Sequence, residues 1–119
     1  MLPHEKLEVY GVAMEFDAVV FGALRERGDP DRDQLLRASA SVQNNLAEGA
    51  SERRPPEKAR IYRIARREAS ECAATLSRIQ HREPLDVLTY NRAQSLIRRV
   101  IRMLTKLIDR HQPEPADTR

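Results

Sequence analysis

Apolar positions along this chain recur at helical spacing in four blocks, separated by three short runs of turn-forming residues. The first block spans about Glu5 to Arg27. Its apolar residues are Leu7, Val9, Tyr10, Val12, Met14, Phe16, Val19, Val20, Phe21 and Leu24. At 100° per residue they cover most of a helix circumference and leave only a narrow polar strip, Glu8, Glu15 and Glu26, with Gly11 and Gly22 beside it. A helix apolar on most sides is buried on most sides, which in a small bundle predicts contact with another subunit. Gly28-Asp29-Pro30 then reads as a helix end and a new start: Gly at C′, Asp at the N-cap, Pro in the first turn.

The second block, Pro30 to Ala50, carries an apolar face poor in large side chains: Leu35, Ser39, Val42, Leu46 and Ala50, flanked by Leu36 and Ala47. Small side chains let a neighbouring helix approach closely. The third block runs from Pro56 to Gln80, with Pro56 pushing Pro55 out of the helical region. Its core stripe is Ile61, Ala65, Ala69, Cys72, Leu76 and Ile79, with Arg60, Arg63, Arg67 and Arg78 opposite. The fourth, Leu85 to His111, is the most sharply divided. Leu96, Ile97, Val100, Ile101, Met103, Leu104, Leu107 and Ile108 fill an arc of roughly 160°. Arg98, Arg99, Arg102, Lys106 and Arg110 fill the rest. Four helices with short turns predict an all-α, up-down-up-down antiparallel four-helix bundle over residues 1–111. The aperiodic residues 112–119 are expected to form a disordered tail.

Composition narrows the picture. A chain of 119 residues, 33% charged and with four Gly, suits a single helical domain. No apolar run has the roughly 20 residues of a transmembrane helix, and no secretory leader is visible, so a cytoplasmic protein without membrane contact is expected. Charge is uneven: residues 1–50 hold five basic and nine acidic side chains, residues 51–119 sixteen and nine. A basic surface on the second half permits a polyanionic partner.

Candidate chemistry is sparse. His4, His81 and His111 sit near helix ends without partners at metal-ligand spacing, and the Glu-x-x-His pair of di-iron bundles is absent. No nucleophile triad, P-loop or dinucleotide fingerprint occurs, and the single Cys72 lies on an apolar stripe. Neither an enzyme nor a cofactor-binding protein is expected. Glu68 and Glu71, one turn apart, read as one hydrogen-bonded and one solvated carboxylate. Asn45, near the edge of the apolar face of the second helix, needs a partner, and Glu71 across the turn is the expected one, fixing helix register. The basic residues are the remaining candidates: Arg53, Arg54, Arg60, Arg63 and Arg67, then Arg98, Arg99, Arg102 and Lys106. Arginine's planar fork suits phosphate. With Tyr62 the lone aromatic nearby, base stacking is weak and contact with RNA or DNA is expected through backbone phosphate.

The segment Arg37-Ala38-Ser39-Ala40-Ser41-Val42-Gln43-Asn44-Asn45-Leu46-Ala47-Glu48-Gly49, with Ile64-Ala65-Arg66-Arg67-Glu68-Ala69-Ser70-Glu71-Cys72 in the next helix, resembles the signature of small bacterial four-helix-bundle proteins. These include proteins encoded in intervening sequences of 23S ribosomal RNA genes and accessory variability determinants of diversity-generating retroelements. Gln43 and Asn44 stand where that pattern has small or apolar residues, and Arg67-Glu68 where it has Gly-Ser. The resemblance implies a homopentamer, with a basic surface that in the retroelement branch engages nucleic acid and a reverse transcriptase. Together the readings describe a homo-oligomeric accessory protein that binds nucleic acid through its third and fourth helices, with Asn45, Glu48, Gly49 and Glu71 structural. The alternative is a protein–protein scaffold ring that binds no nucleic acid.

Overall fold

The computed structural model describes residues 1–112, a short 3-10 turn at Pro3–Lys6 followed by α1 (Glu8–Ala23), α2 (Pro30–Ser51), α3 (Pro55–Arg82) and α4 (Val87–His111). Each helix packs against its chain neighbours, α4 returns beside α1, and neither diagonal pair has a close backbone approach. Cross-helix contacts fix the directions. Arg92 pairs with Glu15 and Arg99 with Glu8, so α4 runs antiparallel to α1. Ser39 donates to Asp17, Lys58 to Gly49, and Arg66 to Thr105, each between helices of opposite direction. The fold is an up-down-up-down antiparallel four-helix bundle, and its four faces meet in one core.

Local chemistry sets the helix limits. Asp29 is extended and its Oδ1 accepts from the Arg32 amide at 2.8 Å, with Pro30 in the first turn of α2. Asp86 does the same for α4, accepting from the Thr89 amide at 3.1 Å. That cap starts α4 two residues later than the apolar pattern predicts. Leu85 is instead held outside by the Gln80 side chain, which accepts from the Leu85 amide and donates to its carbonyl. Pro55 and Pro56 both lie inside α3, contrary to the expectation that Pro55 is pushed out; Arg54 is the extended residue. A ring-fixed φ suits the first turn, where the missing N–H has no acceptor to lose.

The first block is shorter than its pattern. Leu7 is extended between the 3-10 turn and α1, and the helix stops at Ala23. Gly28 is therefore not the C′ residue, and no glycine takes a positive φ. The side chain of Arg32 reaches back to the Leu24 carbonyl at 3.0 Å and closes the end of α1 instead. Of the apolar residues expected to be buried on α1, Val9, Val12, Phe16, Val20 and Leu24 are buried, whereas Met14 and Phe21 remain 49% and 47% exposed in the single chain. The whole predicted stripe of α3, Ile61 to Ile79, is buried. The tail expected to be disordered lies, from residue 113 on, outside the described residues. Among the described residues no helix is long and apolar enough to cross a membrane.

Candidate nucleic-acid interface

The site begins at the α2–α3 turn, where most charges are already engaged. Glu52 accepts from the Arg54 amide at 3.0 Å and from its Nε at 3.1 Å. The guanidinium bond first, then the amide bond, hold the Glu52 carboxyl down to about 2. Lys58 turns inward: its Nζ donates to the Gly49 and Ala50 carbonyls at 2.6 and 3.1 Å, capping the C-terminus of α2. Burial lowers its pKa, and the ammonium lies 5.7 Å from the centre of the Tyr62 ring. Tyr62 is itself buried, against Gly49 on one side and near His111 on another. The one aromatic of this basic stretch is a core residue and is not available to stack on a base.

The arginines of α3 divide. Arg60 is ion-paired with Glu57 one turn away. Arg63 donates to the Gln112 carbonyl at 2.8 Å, and Arg66 to Thr105 at 3.3 Å, both across the α3–α4 seam. Arg67 is exposed and has no ion-pair partner among the described residues. On α4, Thr105 faces α3, which turns Arg98 and Arg102 to the outer surface on the same broad face of the bundle. Arg98 and Arg102 are exposed and unpaired among the described residues. Arg99 turns the other way, to Glu8 at 2.7 Å, and Lys106 shares that side. Of the nine basic residues singled out from sequence, Arg53, Arg67, Arg98, Arg102 and Lys106 thus have no ion pair among the described residues and can meet an anion. Arg54, Arg60, Arg63 and Arg99 already have protein partners.

The Asn-Leu-Ala-Glu-Gly segment is explained differently from the sequence expectation. Asn45 does not bond Glu71. Its Nδ2 folds back on its own helix, donating to the Ser41 carbonyl at 2.9 Å and to Ser41 Oγ at 3.2 Å. A four-residue step on one helix satisfies the amide without crossing to α3. The Glu48 side chain is exposed, and its backbone carbonyl accepts from the Glu52 amide. Gly49 is a matter of space: a Cβ there would lie 2.6 Å from Tyr62 Cε1. The signal was present in sequence as Gly49 and Tyr62, but only their contact shows why the pair belongs together.

Glu71 is exposed and faces Glu68, not Asn45. Burial, then the hydrogen bond and charge of Glu71, raise the Glu68 pKa. Both line an open cavity of about 500 Å³ between α2 and α3, with Gln34, Arg37 and Ser41 on the other wall. Cys72 is buried, and burial first, then the Glu68, Glu71 and Asp17 charges, push its thiol up to about 12, so it packs as an unreactive apolar group. No group of three or more His, Cys, Asp or Glu among the described residues is placed to hold a metal.

Fold and surface define the class: a small antiparallel four-helix bundle with an arginine-rich α3–α4 face. The family described as "23S rRNA-intervening sequence protein" matches residues 5–106, and the chain belongs to it. No curated protein matches the chain.

Proposed function

We propose that this protein is a non-enzymatic, homo-oligomeric accessory protein that associates with RNA, its α3–α4 face contacting backbone phosphate. One observation carries the reading. Arg98 and Arg102 stand on that face and Arg67 on the outer side of α3, all exposed and without carboxylate partners among the described residues, in a chain that pairs many of its other arginines. Unpaired guanidinium groups retain their full attraction for phosphate and have no internal ion pair to break. The ribosomal RNA in the family's name supports RNA as the polyanion. DNA is a second substrate of the same chemistry, since phosphate contact carries little sequence preference.

Self-association rests on α1. Gly11, Met14, Ala18, Phe21 and Gly22 form an exposed apolar stripe along the helix. A second copy would cover it, and the family resemblance suggests a pentamer and, in the retroelement branch, a reverse transcriptase as protein partner. The same stripe is what favours the alternative, a scaffold ring without nucleic acid.

The test is a titration of fluorescent structured RNA and duplex DNA at low and near-physiological salt, with oligomer mass recorded on the same preparation. Binding that weakens steeply with salt is expected. The R67E/R98E/R102E variant should lose roughly tenfold to a hundredfold in affinity while keeping helicity and mass. No binding at low salt would replace this reading by the scaffold.

A further inference from the structure

A second groove lies apart from the α3–α4 face, between the chain's N-terminal turn and the last turns of α4. It encloses about 420 Å³, within the range of pockets that take one small ligand. Its floor is apolar, with Leu7 and Val9 on one side and Met103 and Leu107 on the other. Its rim is cationic: Lys6, Arg99, Lys106 and Arg110, against the single carboxylate of Glu8. Glu8 is occupied by Arg99 at 2.7 Å. Lys6, Lys106 and Arg110 have no ion-pair partner among the described residues and are exposed.

Three unpaired cations around an aliphatic floor fit an anion that also carries a flat, poorly hydrated body. Phosphate alone would leave Met103 and Leu107 in water. A duplex presents phosphates but keeps its bases stacked inside. An unpaired nucleotide offers both parts, with phosphates to the lysines and Arg110 and a base face to the thioether and Leu107. Resting on the nucleic-acid reading above, we infer that this α1–α4 groove is a separate site for one unstacked nucleotide of single-stranded RNA. The α3–α4 face then holds the backbone of whatever RNA is bound, and the groove distinguishes looped or single-stranded RNA from duplex.

The experiment measures binding of a short fluorescent oligouridine and of a blunt RNA duplex of equal length to the parent, to K6E/R110E and to R67E/R98E/R102E, with anionic phosphatidylserine vesicles as a further probe. Lys6 and Arg110 are exposed, so the double variant should keep its helicity. K6E/R110E is expected to weaken oligouridine binding by about tenfold, and to flatten its slope of log affinity against log salt by roughly 1.4, while duplex affinity changes by less than about threefold. R67E/R98E/R102E is expected to weaken both RNAs. Unchanged oligouridine affinity in K6E/R110E, or equal weakening of both RNAs, would overturn the groove while leaving the α3–α4 reading intact. So would loss of vesicle binding with oligouridine binding retained. A parent that binds neither RNA at low salt defeats the reading itself and the groove with it.

Discussion

The α2–α3 turn and the outer row of α4 are both rich in cations in the sequence, and the fold uses them in opposite ways. At the turn, Lys58 caps α2, Arg54 pairs with Glu52, Arg60 with Glu57, and Arg63 and Arg66 cross to α4. On α4, Arg98 and Arg102 face outward with no partner among the described residues. The first region uses charge to close helix ends and a seam. The second keeps its charge available. Charge density along a chain therefore does not measure what a polyanion would meet, because an internal acceptor can satisfy the cation first.

Substitutions at the α2–α3 turn should have the largest effect. If that region is structural, Tyr62→Ala should cost about 3–5 kcal/mol, since it empties a fully buried aromatic site. Denaturant unfolding would show it. Gly49→Ala should cost about 1–3 kcal/mol, the new methyl clashing with the ring by more than helix propensity returns. Combined with Tyr62→Leu it should cost less than the two separate losses together, because the clash is shared. A Gly49→Ala variant as stable as the parent would mean that the Tyr62 ring does not require glycine at that position.

Lys58→Met should cost about 1–2 kcal/mol by uncapping the Gly49 and Ala50 carbonyls, with little effect on RNA affinity. A sharper contrast sets Arg60 against Arg98. Arg98→Gln should reduce RNA affinity several-fold more than Arg60→Gln, because Arg60 already shares its charge with Glu57. Equal losses would mean that both regions meet RNA alike.

The smallest effect concerns Glu68. Its folded-state pKa stands above its unfolded value, so the folded protein holds that proton more tightly. The destabilisation is present above the raised value and is relieved as pH falls through it. Glu68→Gln should raise Tm by a degree or so at neutral pH, and the gain should fade in acid below the ordinary carboxylate range. A gain independent of pH would point to packing instead.

The four helices were legible because burial imposes a 3.6-residue period on any helix with a core face. The α3 stripe from Ile61 to Ile79 shows it without exception. Asp29 as an N-cap was legible too, since capping is a local matter of one side chain and an amide two or three residues on. The C-terminal end of α1 was not, because the side chain of Arg32, eight residues on, closes the helix that the apolar pattern would have extended. Asn45 was assigned the wrong partner for a related reason: sequence shows that a polar group needs an acceptor but not which of two reachable ones it takes. The basic residues illustrate the limit most clearly. Their number and helical faces are properties of the sequence. Which of them carry an unspent charge, Arg98 and Arg102 but not Arg60 or Arg99, was decided only when the bundle brought each guanidinium within or beyond reach of a carboxylate, since ion pairing acts over a few ångströms of space and not over positions in a chain.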